Sequence, residues 1–224
     1  GLVIHQLFSP GAPFITGGAA PQMDMNSSFC SYGSPELQLS CAAMVEMARY
    51  YEIPVFSTAG CTDSHVFDQQ AAMEASYTIL FQALAGSNLI HDLGYMGGGM
   101  TSSLEMVLLC NDMAGMAKYV LRGIDVSPET LASDVISSVG PGGNFITEEH
   151  TVENFRNTLC FAGLQSRCNL GDWEKQGKSG YSTRANKRIK EILETHTVEG
   201  LPEHKLKQID TILRRKRHAA SSVR

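Results

Sequence analysis

Three short stretches of the chain gather side chains that can do chemistry. The first, Ala59-Gly60-Cys61-Thr62-Asp63-Ser64-His65, sets a thiol, a hydroxyl, a carboxylate and an imidazole directly after an apolar run. Asp63 and His65 stand two residues apart, so both can point into one cavity. A plainer role also suits the loop, with Asp63 or Ser64 capping the helix that follows. The second stretch reaches His91 and Asp92 and continues through Gly94, Tyr95 and the triplet Gly97-Gly98-Gly99. Consecutive glycines let backbone approach a ligand closely or move as a lid; a flexible turn is the alternative. No Lys-Ser/Thr pair follows, so this is not a phosphate loop. The third stretch holds Phe29, Tyr32 and Gly33. Aromatic faces beside a carboxylate are what a quaternary ammonium ligand requires, with core packing as the alternative.

These readings make Asp63, His65 and His91 the candidate catalytic residues. Phe29, Tyr32, Cys61, Ser64, Tyr95, Gly97 and Gly98 are the candidate substrate-binding residues. Cys30 and Cys61 read as unactivated thiols. Glu148, Glu149 and His150 fit either acid/base groups or a solvated turn. Arg214-Arg215-Lys216-Arg217 fits an exposed helix end or a docking surface for an acidic partner. None of the six cysteines forms a C-x2-C pair, so no zinc or redox motif is expected and no metal is assigned.

The elements that must hold these loops repeat along the chain as strand, Gly/Ser-rich loop and amphipathic helix. Strands are expected near Pro13–Thr16, Met23–Asn26, Ile53–Thr58 and Asn88–Leu93. Helices are expected over about 35–51, capped by Ser34 with Pro35 at the first position, and over about 68–84 and 104–121. Successive strands lie roughly 30–35 residues apart, the size of one βαβ unit. That spacing argues for a parallel sheet with helical crossovers. After Gly123 a short helix capped at Ser127, a glycine-rich turn and polar helices follow. A complete (β/α)8 barrel needs about 250 residues. Four or five strands therefore fit half a barrel with a C-terminal appendix, or an open doubly wound sheet. The division expected is 1–123 for the half barrel and 124–224 for the last barrel elements and the helical region.

The 224 residues are 43 % hydrophobic and 18 % charged, an ordinary globular balance. The net charge of −5 does not suggest a nucleic-acid binder. The charges are uneven: up to residue 117 the only Lys or Arg is Arg49, against ten acidic residues. No apolar run reaches the ~18 residues of a membrane span. Neither a signal peptide nor an initiator methionine opens the chain, so reduced cysteines, a cytoplasmic setting and the interior of a longer protein are expected.

The order of these loops is familiar. The run from FSTAGCTDSHVFDQQAAMEASYTILFQALAG to SNLIHDLGYMGGGMTSSLEMVLLCNDMAGMAKYVLRGI resembles the trimethylamine methyltransferase superfamily. So do CSYGSPELQLSCAAMVEMARYY, GPGGNFITEEHTVENFR and DWEKQGKSGYSTRANKRIKEIL. The resemblance runs from about residue 17 to 193. It implies the C-terminal half of a (β/α)8 TIM barrel. It also implies transfer of a methyl group from a methylated amine to the cobalt of a corrinoid (cobalamin) carried by a partner protein, with no cofactor held tightly by this chain. A homo-oligomer is expected. For that reaction, residue type and loop position suit Phe29, Tyr32 and Tyr95 to cradling the ammonium, Asp63 to balancing its charge, and His65 and His91 to orienting it or hydrogen-bonding a substrate carboxylate. Archaeal members acting on trimethylamine carry pyrrolysine, which the resemblance sets at Cys61. A cysteine there points to a quaternary amine such as glycine betaine. The competing readings are a non-catalytic domain that docks a corrinoid protein or oligomerises, and a barrel lyase or aldolase. The absence of lysine before Lys118 counts against a Schiff-base aldolase.

Overall fold

A computed structural model describes residues 1–18, 20–161 and 163–221, with side chains through residue 214. The chain divides into two units, Gly1–Ile189 and Lys190–Arg224.

The first unit opens with α1 (Leu2–Phe8) and β1 (Thr16–Gly17). Helix α2 (Pro35–Tyr50) starts as its sequence dictates: the Leu37 amide donates to Ser34 Oγ at 3.3 Å, and Pro35 takes the first position. Strand β2 (Val55–Thr58) follows, then α3 (Gln69–Ala85), whose cap is Asp68. The Ala71 amide donates to the Asp68 carboxylate at 3.0 Å, and this bond holds its pKa below the ordinary value. Strand β3 (Leu89–His91) precedes a two-stranded hairpin, β4 (Tyr95–Met96) with β5 (Thr101–Ser102). Helix α4 (Leu104–Leu121) starts on Ser103, whose Oγ accepts from the Met106 amide at 3.1 Å.

Strands β1, β2 and β3 pair in parallel in sequence order, with Gly17 opposite Phe56, and Phe56, Ser57 and Thr58 opposite Leu89, Ile90 and His91. Side chains alternate across a strand. Val55 turns toward α2, where it packs with Val45 and Ala48. Ile90 packs against the larger core of Ala71, Ala75 and Ile79 from α3 with Met106, Leu109 and Cys110 from α4. Phe56, Leu89 and His91 share the opposite face; neither core cluster includes them, and Leu89 is 54 % exposed. Tyr181, at the start of α9 (Tyr181–Thr195), closes the core by donating to Asp112 Oδ2 at 3.0 Å.

Three expectations need correction. The Met23–Asn26 strand reduces to a single bridge between Met23 and Cys30. The cause is Asp24, whose Oδ1 accepts from the Asn26 and Ser27 amides at 3.0 and 2.7 Å and so turns the backbone away from a ladder. Among the described residues three strands, rather than four or five, pair in parallel. The helix expected after Ser127 is two helices, α5 (Pro128–Leu131) and α6 (Ser133–Val139), because Ala132 between them adopts a left-handed φ of 47°.

Helices α7 (Glu149–Thr158) and α8 (Leu170–Lys175) complete the first unit up to α9. The second unit contains α10 (Glu203–Ser221). No described helix is long and apolar enough to cross a membrane. Truncating Met106 to Ala removes a fully buried side chain from the core between α3 and α4. Denaturant unfolding should show a loss of about 2–5 kcal/mol, and a smaller loss would mean that the helix pair collapses into the space.

Candidate active site

The chemistry-bearing loops leave the carboxyl ends of β2 and β3, where parallel sheets place their ligand sites. They are joined by main chain. The Ala59 amide donates to the His91 carbonyl at 3.1 Å, Gly94 to Gly60 at 3.1 Å, Thr62 to Tyr95 at 3.0 Å and Gly98 to Thr62 at 3.2 Å. The Gly97 amide donates to the Ser64 carbonyl at 2.9 Å. The stretch 91–98 is thereby held along the AGCTDSH loop as though the two strands continued.

The glycine triplet, expected as a lid or flexible turn, is the turn of the β4–β5 hairpin. Gly97, Gly98 and Gly99 have φ of 57°, 64° and 82°, the left-handed region where a Cβ is strained. Space forbids side chains as well. A Cβ on Gly97 would lie 2.8 Å from His65 Nδ1, and one on Gly98 would enter the Phe29 ring. Tyr32 lies against Gly99 at van der Waals range of such a Cβ.

Asp63 joins the third loop to this pair. Its Oδ1 accepts from the Tyr32 amide at 2.8 Å, and its Oδ2 accepts from the Gly33 amide at 3.2 Å and from Ser31 Oγ. The residues expected to form a site are thus gathered: Phe29 and Tyr32 on one loop, Asp63 and His65 on the next, Gly97 and Gly98 on the hairpin. His65 is exposed, and Phe29 is 39 % exposed.

Other candidates stand differently. Ser64 is buried, and its hydroxyl bonds the Val66 carbonyl at 2.9 Å and Asp68 Oδ1 at 3.0 Å, so it braces the entry to α3. Cys61 is 1 % exposed, and burial, with the charges of Asp92 and Asp63, pushes its thiol up to about 12. His91 faces Phe56, with ring centroids 5.0 Å apart, and its Nδ1 lies 2.8 Å from Asp92 Oδ1. Its Nε2 is buried and has no hydrogen-bond partner among the described residues. Tyr95 meets the AGCTDSH loop through its carbonyl, while the residue itself is 45 % exposed. Among the described residues no group of three His, Cys, Asp or Glu side chains is placed to hold a metal. His150 Nε2 bonds the Glu129 carbonyl at 2.8 Å, in a second region of the chain. Of the basic cluster, Arg214 pairs with Asp210 at 2.8 Å; the side chains of Arg215, Lys216 and Arg217 lie outside the described residues.

Glu74 was missed by reading the loops alone. It sits in the middle of α3 and is 8 % exposed, yet it reaches the AGCTDSH loop. Its Oε2 accepts from Thr62 Oγ1 at 2.5 Å and from the Asp63 amide at 2.8 Å, and its Oε1 accepts from Gln70 Nε2 at 2.9 Å. The available signal was polar spacing. Gln70, Glu74, Tyr77 and Thr78 recur at intervals of about one helical turn along the helix.

The fold and the loops define an α/β protein whose aromatic, carboxylate and imidazole groups converge at the carboxyl ends of parallel strands. The sequence model of the family described as trimethylamine methyltransferase (MTTB) matches residues 1–220, and the chain belongs to that family. The resemblance carried by the loop sequences is thereby borne out. The chain is 40 % identical over 202 residues to the trimethylamine methyltransferase MttB of Desulfitobacterium hafniense, covering 90 % of this chain and 40 % of that protein. It is 35 % identical over 216 residues to MttB2 of Methanosarcina mazei, covering 95 % and 43 %. It is 33 % identical over 202 residues to the glycine betaine methyltransferase of Desulfitobacterium hafniense, covering 90 % and 42 %. The chain thus spans less than half the length of these relatives.

Two outcomes follow for the site. Gly98→Ala should destabilise the protein by about 1–3 kcal/mol, through the left-handed φ and displacement of Phe29. Gly99→Ala, with only an ordinary contact to Tyr32, should cost less; equal losses in thermal unfolding would show that Phe29 gives way freely. With its pKa raised, Cys61 stays a neutral thiol through neutral pH and forms thiolate only near pH 12. Alkylation of the folded protein at pH 8 should label exposed Cys30 and Cys168 and spare Cys61, as peptide mapping would show.

Proposed function

We propose that this chain forms the carboxyl-terminal part of a methyltransferase barrel that takes a methyl group from a quaternary or tertiary methylated amine. The acceptor in this reading is the Co(I) of a corrinoid carried by a separate protein in the cytoplasm. The observation that carries the proposal is a mismatch of charge. Asp63 stands among Phe29, Tyr32 and the glycine hairpin, and Glu74 lies buried beneath it. The only Lys or Arg before residue 118, Arg49, is engaged with Glu46 at 2.6 Å. A methylated ammonium ion supplies the missing positive charge, and aromatic faces attract it.

The half-barrel architecture is supported by the sequential parallel order of β1, β2 and β3 and by helices α2 to α4 over one sheet face. A doubly wound sheet would carry helices on both faces. The share of the relatives' length is compatible with this, because the chain covers 40 % and 43 % of two of them and leaves room for further strands.

The loops supply no activated nucleophile of their own. Cys61 is neutral, and no lysine precedes Lys118 in the sequence. That fits a methyl acceptor brought by a partner; the corrinoid would supply the nucleophile, and no residue of this chain is assigned to hold it. The chain's own residues bind and orient. Asp63 fixes the cation, Phe29 and Tyr32 enclose it, and the hairpin backbone walls the cavity against water. As the methyl group leaves, the C–N bond breaks with its electron pair on nitrogen. A quaternary amine departs neutral without taking up a proton, whereas a tertiary amine must first gain one. Cys61, in place of the pyrrolysine set there by the family resemblance, favours the quaternary class, with glycine betaine the leading case.

Full-length protein given glycine betaine and Co(I) cobalamin should form dimethylglycine. No demethylated product from any quaternary or tertiary methylamine would leave the docking or oligomerising role in its place. Asp63→Asn should lower kcat/KM at least about tenfold, equivalent to ~1.4 kcal/mol. Unchanged turnover would remove Asp63 from the site.

A further inference from the structure

We infer that Glu74 is a positioning residue that makes the loop site select a cationic head group over a neutral one of the same shape. This rests on the methylated-amine reading above and assigns the discrimination to a side chain that touches no ligand.

The geometry starts with α3. Three of its side chains on one face, Glu74, Tyr77 and Thr78, bond the loops. Tyr77 OH donates to the Gly33 carbonyl at 2.5 Å, and the Gly60 amide donates to Thr78 Oγ1 at 3.0 Å. Glu74 lies between them, and its carboxylate presses on Gly33 so closely that a Cβ there would overlap it. One Glu74 oxygen holds Thr62 and Asp63 together, and Asp63 in turn holds Tyr32 and Gly33. The Thr62 hydroxyl, the Asp63 amide and the Gln70 side-chain amide all donate to Glu74.

Its charge is buried, and hydrogen bonds from neutral groups satisfy its lone pairs without neutralising it. A buried charge costs free energy unless an opposite charge meets it. Beside Glu74 the adjoining loops supply neutral or acidic residues, Cys61, Thr62, Ser31, Tyr32, Gly33 and Asp63, and the imidazole of His65 is exposed to solvent. A cation seated on Phe29 and Tyr32 would therefore relieve both carboxylates at once. An isostere with a neutral head would fill the same space and relieve neither. Glu74 also sets the main chain of Asp63, so it fixes where the cation rests.

The test uses the full-length protein and two probes, glycine betaine and its carbon isostere 3,3-dimethylbutanoate, which share a carboxylate and differ in a cationic against a neutral head, titrated by calorimetry. Glu74→Gln keeps the shape and can still accept from Thr62 and Asp63 while losing the charge. Its affinity for glycine betaine should fall about tenfold, and its affinity for the isostere should stay within about twofold. Glu74→Asp keeps the charge on a shorter stem, so the preference for betaine should persist while kcat falls. Equal weakening of both probes in Glu74→Gln would mean a structural role alone and overturn the inference. So would unchanged betaine affinity. If Glu74→Gln does not fold, Glu74→Asp decides: a retained preference supports the inference and a lost one overturns it. An unaltered protein that binds no methylated amine would instead overturn the functional reading, and this inference would fall with it.

Discussion

The arrangement depends on main-chain hydrogen bonds that carry the β2–β3 pairing past the ends of the strands. Two strands of three or four residues make a weak platform by themselves. By continuing the pairing from Ala59 to Gly98, the chain turns two loops into an extension of the sheet. The side chains at the site are then positioned by backbone rather than by one another. Asp63 and Glu74 add the lateral ties, one to the aromatic loop and one to α3. Core packing between α3 and α4 supplies the stability, and this ladder supplies the register.

Much of the helix layout was legible in the sequence because helix boundaries carry local chemistry. Ser34-Pro35, Asp68 and Ser103 behave as caps, and α2, α3 and α4 start beside them. The strand near Met23 misled because its apolar residues flank Asp24, whose side chain competes with the ladder for amides two and three residues on. The hairpin at 95–102 escaped because three glycines in a row look like slack chain. Their left-handed backbone emerges only when His65 and Phe29, distant in sequence, close the space around them.

The candidate site shows the same division. Residue types in the loops named Phe29, Tyr32, Asp63, His65 and the glycines, and the structure brings these together. Loop position could not separate groups that face the cluster from groups that brace it. Ser64 and Cys61 have the chemistry of contact residues but point into the protein. Glu74 was invisible to a reading of loops because it approaches from a helix, fifteen residues after Ala59 opens the loop. Family membership supplied what physics alone did not, the nature of the reaction to be expected.

The hairpin wall has a further consequence. A surface built of main chain offers nothing to substitute: Gly97 and Gly98 admit no side chain without displacing what they face. A lineage that diversified its substrates would have to do so on the opposite wall, at Phe29, Tyr32 and His65. The glycine side would stay as a fixed mould against which those positions vary.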